Sequence, residues 1–420
     1  MKINTATLAN GLRVVHHRKK ASQMVYVNLL YNVGAKNEDY EYTGLAHLLE
    51  HLMFEGTEFV PSFDEPLERA GGENNAYTTN DITNYYISLP KQNAEIAFWL
   101  ESDRMKNILL DAENVNVQRK VVIEEFKQTT LNRPYGDASS ILRSLAFKKH
   151  PYRWSTIGRK PSHIAKVPLQ VIRDFYNRYY SPSNAILAVV GDVPFEQVMQ
   201  WSEKWFAPIP GTGNVQKPLP VEPRQERMRR RRVVRNVPEN ALYMAFHMGG
   251  RDSKDYFPCD ILSDVLSNGY SGRLLARLVK EKGIFSKIDA FIDGTESPGL
   301  FRIYGRVSRG VTLQQAEAAV WEQLEELKNE EIAPDELEKV KNRFESAFIF
   351  RNLNGENLSG NLALAALHGD ARLHLKEVEN YRAVTTAELR STARELFRRG
   401  NCSVLHYMSR ALNENECKTN

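Results

Sequence analysis

The stretch that decides how this chain is interpreted is Gly44-Leu45-Ala46-His47-Leu48-Leu49-Glu50-His51-Leu52-Met53-Phe54-Glu55-Gly56-Thr57. Apolar residues recur at positions 45, 48, 49, 52 and 53, which is the spacing of a buried helix face. His47, Glu50 and His51 recur with the same spacing on a second face, so both imidazoles point the same way from one rigid helix. We expect Thr43 to cap this helix and Gly56 to mark its C-terminal end.

Two histidines four residues apart on a helix can share a tetrahedral Zn²⁺ ion. Glu50 lies next to His51 in sequence and on the side of His47, which suits a base acting on a water molecule better than a third ligand. The alternative is a polar helix face that carries two histidines by chance. Because the whole chain contains only ten histidines, the pairing around a glutamate favours the metal site.

A hydrolytic zinc site needs a third protein ligand and one open position. On a helix in the first half, Glu125 aligns with Gln118, Val121 and Val122, a mostly apolar stripe that should face inward. Glu124 instead falls between two lysines, the pattern of a solvent-exposed, ion-paired face. Glu125 is therefore the predicted ligand and Glu124 a surface residue.

Composition and charge limit the classes of partner. Hydrophobic residues make up 42% and charged residues 26%, as in a globular protein with a core. The formal charge of +4, from 56 basic and 52 acidic residues, gives no reason to expect a nucleic acid or an anionic membrane as partner. The one strong charge run, Arg227–Arg232, has no interleaved aromatic residues, so we interpret it as a solvated connecting segment rather than a nucleic-acid site.

Two further observations bear on location and cofactors. No apolar run reaches the roughly 18 residues of a membrane span, and the N-terminus lacks the apolar core of a secretory signal. We therefore expect a cytoplasmic protein without a membrane span. Cys259, Cys402 and Cys417 are scattered, which argues against a thiolate metal site or a disulfide framework.

The order of predicted elements repeats along the chain, which indicates an internal duplication of two domains of roughly 200 residues. Strands are predicted in the first half at 12–15, 25–31, 84–89 and 185–190, and in the second at 241–247, 286–292, 300–307 and 402–408. Helices of the second half are predicted at 258–266, 312–349 and 387–398. We expect an α+β fold in which each domain is an antiparallel sheet packed with helices. The predicted ranges are an N-terminal zinc-binding domain 1–207, a linker 208–228, a homologous C-terminal domain without a metal site 229–412, and a polar tail 413–420.

His-Leu-Leu-Glu-His is the inverted zinc-peptidase arrangement of the inverzincins. With its surroundings it resembles the pitrilysin-like family of the short, mitochondrial-processing-peptidase type. Glu125 stands 74 positions after His51 (125 − 51), close to the family's spacing for its third ligand. Tyr180–Asn184 and Gly191-Asp192 resemble the end of the family's N-terminal domain. The resemblance implies one Zn²⁺ per chain, held by His47, His51 and Glu125, and the family's two-domain metallohydrolase fold.

The stretch Gly71–Thr78 resembles the family's substrate-pairing edge strand. The resemblance implies that a peptide substrate lies as an added strand along Asn75, Ala76, Tyr77 and Thr78. For Asn75, a turn residue without contact to substrate remains the alternative. The resemblance also implies that Glu50 takes a proton from the attacking water and passes it to the leaving amine.

Two features depart from the family pattern. Gln118 stands where the family commonly has Glu. The amide of Gln118 can still form the hydrogen bonds of a residue behind the ligands, but it lacks the negative charge. In the C-terminal half, the family's substrate-contacting Arg and Tyr align with Val279 and Ser286, so neither is present. A related partner chain carrying that pair would complete the site in a heterodimer. Alternatively, a homodimer would use other groups, for instance Lys280 or Tyr270.

The sequence therefore predicts a zinc-dependent endopeptidase that hydrolyses peptides or unstructured polypeptide segments. The resemblance implies that the reaction takes place inside a four-domain chamber, which two chains of this length would build. The alternatives are a zinc subunit that is active only with a non-zinc partner, a non-catalytic assembly subunit, and a zinc hydrolase of small molecules. Assembly subunits of this fold characteristically lose the zinc residues. Their retention here favours the peptidase.

Overall fold

The computed structural model describes residues 1–213 and 216–412, which form two β-sheets surrounded by helices. The strands of the first sheet are β1 (Asn4–Thr7), β2 (Arg13–Arg18), β3 (Met24–Tyr31), β4 (Glu73–Thr78), β5 (Thr83–Pro90) and β6 (Ala185–Gly191). The strands of the second sheet are β7 (Arg229–Arg235), β8 (Ala241–His247), β9 (Phe285–Ile292), β10 (Leu300–Val307) and β11 (Cys402–Ser409). The helices are α1 (Leu45–Leu52), α2 (Asp64–Arg69), α3 (Glu95–Asn107), α4 (Ala112–Phe126), α5 (Ala138–Ala146), α6 (Pro161–Lys166), α7 (Leu169–Tyr179), α8 (Phe195–Phe206), α9 (Tyr256–Ser267), α10 (Leu313–Asn329), α11 (Pro334–Leu353), α12 (Gly355–Leu367), α13 (Glu377–Ala383) and α14 (Thr386–Leu396).

The two sheets share one strand order except for β1, which has no counterpart in the second sheet among the described residues. The first runs β1-β2-β6-β3-β5-β4 and the second β7-β11-β8-β10-β9. In each sheet one corresponding pair is parallel, β2 with β6 and β7 with β11, and the other neighbours are antiparallel. The repeated order confirms the predicted α+β fold of two homologous domains. It corrects one detail, because each sheet is mixed rather than wholly antiparallel; the parallel strand returns after a long crossover, as parallel pairing requires.

The chain divides into two compact units that are discontinuous in sequence. Unit 1 comprises Met1–Phe126, Trp154–Leu219 and Ala347–Glu377, and unit 2 comprises Lys127–Arg153, Pro220–Ser346 and Val378–Asn420. Unit 1 thus includes α12, which packs on β3 and β6, and unit 2 includes α5, which packs on β8 and β11. Each unit takes one helix from the other half of the sequence. The predicted domain ranges were drawn from the duplicated order of elements, and they stay a prediction. The predicted tail 413–420 lies outside the described residues.

The buried face of α1 anchors this helix in the core of unit 1. Its apolar residues at positions 45, 48, 49, 52 and 53 are each at most 2% exposed and belong to one core cluster with β3 and β5. The helix-period spacing therefore predicted the buried side of α1 correctly. The other side of the helix stays partly exposed.

The start of α1 differs from the expectation that Thr43 caps it. The helix begins after Gly44, whose φ of +92° is left-handed, and a Cβ there would lie 2.9 Å from the carbonyl oxygen of Ile157. The cap is the buried carboxyl group of Glu38, which accepts hydrogen bonds from the backbone N–H groups of Gly44 and Ala46, both at 2.9 Å. Thr43 instead hydrogen-bonds His163 through its hydroxyl group.

Glu38→Ala is expected to lower the free energy of unfolding by about 2–5 kcal/mol, because it leaves buried N–H groups of α1 without acceptors. The indole N–H of Trp154, which also donates to this carboxyl group, would lose a partner too. Chemical denaturation of the purified variant measures the change. Glu41→Ala, which removes an exposed carboxylate three residues away, is the matched control and should stay within ~0.5 kcal/mol of the wild type. Equal loss in both variants would show that Glu38 does not act as the cap.

Two other sequence interpretations need correction. The run Arg227–Arg232 is not only a connecting segment, because its last four arginines form the beginning of β7. The helical pattern predicted over 312–349 is two helices, α10 and α11, separated by residues 330–333. Among the described residues, no helix is long and apolar enough to cross a membrane.

Candidate metal centre

Helix α1 presents His47, Glu50 and His51 on its partly exposed side. The two imidazole rings lie 4.8 Å apart between centroids and are nearly perpendicular, at 88°. Because α1 is fixed by its buried apolar face, both rings project from a rigid support. The structure therefore places the histidine pair as the i, i+4 spacing predicts.

Helix α4 brings Glu125 to the same place. Oε2 of Glu125 lies 3.7 Å from Nε2 of His47 and 3.5 Å from Nε2 of His51. Glu124 is exposed, as the face assignment predicts. The assignment of an inward-facing side chain is wrong for Val121, which is 44% exposed. Of the predicted stripe, only Gln118 and Val122 are buried. Glu125 lies between the core and the open side of the site.

The imidazole of His51 is oriented by Gln118, which is itself buried. Nδ1 of His51 lies 3.2 Å from Oε1 of Gln118, and Nε2 of Gln118 donates to the carboxylate of Glu55. Since the amide oxygen can only accept, this contact places the proton of neutral His51 on Nδ1 and leaves the Nε2 lone pair facing Glu125. Nδ1 of His47 is buried and has no hydrogen-bond partner among the described residues.

These residues fit a zinc ion. Their three ligand atoms lie within 4.8 Å of one another, and within residues 1–213 and 216–412 this is the one group of three or more His, Cys, Asp or Glu side chains that could hold a metal. The edges of a tetrahedron with zinc bonds of 2.0–2.2 Å measure about 3.3–3.6 Å, and the two imidazole–carboxylate distances are 3.5 and 3.7 Å. Glu125 is 38% exposed, so the donor set is open on one side.

Glu50 lies beside the ligand group and is held by the edge strand. The hydroxyl group of Thr78, the last residue of β4, donates a hydrogen bond to Oε2 of Glu50. This contact fixes the carboxylate from one side while the residue remains partly exposed. A positioned carboxylate next to a metal site can accept a proton from water.

The ionisable groups perturb one another. Burial lowers the pKa of His47, against the effect of the Glu125 carboxylate. When His51 is protonated, its Nε2–H donates to the Glu125 carboxylate, and this hydrogen bond raises the pKa of His51 and lowers that of Glu125. Burial raises the pKa of Glu50, although the hydrogen bond from Thr78 acts in the opposite direction. A raised pKa makes the Glu50 carboxylate a stronger proton acceptor.

Gln118→Ala is expected to weaken zinc binding by about 10–100-fold, because His51 loses the acceptor that fixes its tautomer and ring orientation. Competition with a chromophoric chelator measures the affinity. Asn116→Ala, an exposed substitution on the same helix, is the control. If both variants bound zinc like the wild type, Gln118 would have no role in orienting His51.

The predicted substrate strand is the outermost strand of the first sheet, since within the described part of the chain β4 pairs with β5 alone. Asn75 and Tyr77 are exposed, and Ala76 is partly buried against the core. Oδ1 of Asn75 accepts the backbone N–H of Ala76 at 2.8 Å. The structure thus provides an open edge whose last residue, Thr78, contacts Glu50. The substrate-binding roles of these four residues stay a prediction.

The stretch that aligns with the family's Arg and Tyr lies in unit 2. Val279 packs against the core of that unit, in a π-helical turn, and Ser286 is exposed at the start of β9. Arg277 is held by a carboxylate of α10. Tyr270 is 87% exposed, and the ammonium group of Lys280 lies 5.0 Å from the centre of its ring. Lys280 and Tyr270, the two residues suggested as replacements for the family's Arg and Tyr, are therefore exposed side chains in contact with each other.

Two contacts of this region were missed by the sequence analysis, that of Glu55 with Gln118 and that of Thr78 with Glu50. Glu55 lies four positions after His51, so helical spacing could have paired it with the ligand face. The hydroxyl contact of Thr78 with Glu50 had no local signal, because the two residues are 28 positions apart. Thr78 was predicted only as part of the substrate strand.

Comparisons with known proteins identify the family of this chain. Residues 13–159 match the family model described as insulinase (peptidase family M16), and residues 166–344 match the model described as peptidase M16 inactive domain. A zinc protease of Helicobacter pylori, PqqE, is 31% identical over 375 residues, covering 88% of this chain and 83% of that protein. The crystal structure of a protease from Helicobacter pylori superposes with a TM-score of 0.92 at 28% identity, covering 97% of this chain and 99% of that one. Pitrilysin has the same fold, with a TM-score of 0.78 at 18% identity over 97% of this chain and 45% of its own.

A duplicated α+β fold with a His-His-Glu cluster in its first unit defines a protein of the metallopeptidase class. More particularly, the chain belongs to the M16 peptidase family, which confirms the pitrilysin-like resemblance of the sequence. Its second matched region carries the description of an inactive domain.

Proposed function

We propose that this chain is a zinc-dependent endopeptidase acting on peptides or unstructured polypeptide segments. The observation that carries the proposal is the convergence of His47 Nε2, His51 Nε2 and Glu125 Oε2, with Glu50 held beside them by Thr78. Relatives named zinc proteases support it. The proposal includes one Zn²⁺ ion per chain and a cytoplasmic location.

Each residue has a distinct part in this proposal. His47, His51 and Glu125 would hold the zinc ion, and Gln118 would keep His51 in the tautomer that leaves Nε2 free. When bound, Zn²⁺ supplies Lewis-acid polarisation of the scissile carbonyl and lowers the pKa of water at the site. Glu50 accepts the proton of the attacking water and delivers it to the leaving amine nitrogen. Thr78 keeps the carboxylate of Glu50 pointed at the reacting atoms.

The peptide substrate is proposed to add to the first sheet along Asn75, Ala76, Tyr77 and Thr78. Support comes from the position of β4 at the sheet edge, where backbone groups are free to pair with an extended segment. Because Asn75 Oδ1 accepts the N–H of Ala76, a substrate carbonyl would displace the Asn75 side chain to reach that donor. Backbone pairing of this kind selects for extended conformation more than for sequence.

The active assembly is proposed to be a dimer, either of two identical chains or with a related subunit. Pitrilysin, in which this fold covers 45% of the chain, supports the idea that two such modules act together. Val279 and Ser286 leave the second unit without the family's Arg and Tyr. In a heterodimer the partner would supply that pair, whereas in a homodimer Lys280 and Tyr270 are the available groups.

A quenched-fluorescence peptide library tests the proposed activity. The purified chain is stripped with a chelator and reloaded with stoichiometric Zn²⁺. Cleavage that disappears on stripping and returns on reloading supports the proposal. If the zinc-loaded chain is inactive alone but cleaves after addition of a co-purifying related subunit, the heterodimer is supported.

A non-catalytic assembly subunit is the second candidate. The match of residues 166–344 to an inactive-domain model and the residues at 279 and 286 favour it. A chain that binds zinc tightly but cleaves no library member, alone or with its partner, would establish this second function instead.

A further inference from the structure

Strand β7 forms an open edge of the second sheet. It pairs with β11 and with no other strand among the described residues. An edge strand presents alternate backbone N–H and C=O groups that lack partners, so it can accept a further strand. The edge of β7 is therefore a candidate binding surface.

The duplicated fold shows what such an edge can bind. In the first sheet, β2 occupies the place that β7 occupies in the second, next to its parallel neighbour. There the outer edge of β2 is covered by β1, a four-residue antiparallel strand that lies against the first four residues of β2, Arg13–His16. No described strand covers the first four residues of β7, which are Arg229–Arg232.

Two of these four arginines are already engaged. Arg229 donates to the backbone carbonyl groups of Leu145 and Ala146. Arg230 forms a two-pronged ion pair with Glu317, with nitrogen–oxygen distances of 2.5 and 2.7 Å. Neither guanidinium group is therefore available to a ligand without breaking a contact.

The other two arginines carry unpaired charge. Arg231 and Arg232 are exposed, and their side chains form no hydrogen bond or ion pair within residues 1–213 and 216–412. As consecutive residues of a strand, they project from opposite faces of the sheet. A segment lying along this edge would meet one cation on each face.

The nearby carboxylates do not neutralise this charge. On the α10 side of the sheet, Glu317 is paired with Arg230 and with His406, which it contacts at 2.8 Å. Glu322 is paired with Lys282 at 2.9 Å and Glu325 with a lysine of its own helix at 2.7 Å. On the α5 side, Asp137 is paired with Arg235 of the same strand at 2.9 Å. These carboxylates are therefore engaged with other cations, and the charge of Arg231 and Arg232 is left uncompensated.

We propose that β7 binds an extended acidic polypeptide segment, which adds to the second sheet as an antiparallel sixth strand opposite Arg229–Arg232. Main-chain hydrogen bonds hold the segment in register, as β1 is held on β2. Adjacent acidic side chains on the segment reach Arg231 on one face and Arg232 on the other. This surface is separate from the zinc chemistry and does not depend on the proposed peptidase function.

The binding experiment uses the full-length chain carrying Glu50→Gln, so that no peptide is consumed. The probe is a fluorescein-labelled peptide of eight residues in which a Glu-Glu pair is flanked by Val and Thr, with both termini blocked. Fluorescence anisotropy at low salt should show saturable binding. A twin peptide with Lys-Lys in place of Glu-Glu should not bind, and a twin with N-methyl groups on the amides that face the strand should bind about tenfold more weakly.

Protein variants then locate the site. Arg231→Gln with Arg232→Gln is expected to weaken binding by about three- to thirtyfold, since two exposed ion pairs are removed. Arg309→Gln with Arg410→Gln makes the same change in net charge at two exposed arginines outside β7 and should leave the affinity within about twofold.

Three results would overturn the proposal. The first is no saturable binding of the acidic peptide by the unmodified edge, in which case the arginines only protect the edge from self-association. The second is equal binding of the N-methylated twin, which would mean ion pairing without strand addition. The third is an equal loss of affinity in both double variants, which would reflect net charge and not β7.

Discussion

Glu50→Gln is expected to lower kcat for peptide cleavage by about 10²–10⁴-fold, the usual contribution of general acid–base catalysis. The amide keeps the size of the side chain and can still accept the hydrogen bond that Thr78 donates to Oε2. It cannot take a proton from water or return one to the leaving amine. The substitution therefore removes the chemistry of Glu50 and preserves the shape of the site.

Two measurements separate this effect from loss of metal or fold. Zinc content should remain at the wild-type value, because Glu50 is outside the group formed by His47, His51 and Glu125, and KM should change little. Glu58→Gln, at an exposed residue close in sequence, is the matched control and should cleave at the wild-type rate. Equal cleavage by the wild type and Glu50→Gln would rule out Glu50 as the base.

The parts of the site that lie on one helix could be predicted from the sequence because their geometry is local. An i, i+4 pair has the same direction on any helix, and the leucines of α1 showed which side is buried. Glu125 needed a further step, since it lies 74 positions away. Its assignment over Glu124 used the faces of α4, and the structure does bring Glu125 to the histidines, although Val121 on the same stripe is exposed.

Residues that act across the fold gave no such signal. Glu38 caps α1 although Thr43, a residue type that often caps helices, stands next to the helix. The left-handed Gly44 redirects the chain, and the buried carboxyl group of Glu38, six positions earlier, reaches the free N–H groups. The pair Glu101–Arg104 has the i, i+3 spacing of a surface ion pair, yet both residues are at most 1% exposed. Stacking of the Arg104 guanidinium on Phe63 and Tyr85 explains how it is accommodated.

The sequence was enough to predict the duplicated order of elements, but not which helices belong to each compact unit. The sequence predicted eight strands, namely β2, β3, β5, β6, β8, β9, β10 and β11, and their repeated order was enough to indicate duplication. Strand β4 was expected only from the family resemblance, and β1 and β7 were not predicted as strands. The placement of α12 in unit 1 and of α5 in unit 2 depends on contacts between residues hundreds of positions apart, for instance α12 on β3. Periodicity describes which face of a helix is buried but not which sheet buries it.

Glu125→Ala is expected to weaken zinc binding by on the order of 10³-fold, because it removes one of three protein ligands and leaves two imidazoles to hold the ion. Peptide cleavage should be lost at metal concentrations that saturate the wild type. The fold should be retained, since Glu125 is 38% exposed and its ion pairs with His47 and His51 lie at the open side of the site.

Glu124→Ala is a stringent control for this prediction, because it removes the same charge from the adjacent position of the same helix. Glu124 is exposed, and its position between two lysines favours a surface role. In chelator competition, Glu124→Ala should therefore bind zinc with about wild-type affinity, whereas Glu125→Ala should show the full loss of affinity expected on removal of a ligand. Equal affinities would mean that α4 does not supply the third ligand, and Glu50 would then be the candidate ligand instead of the base.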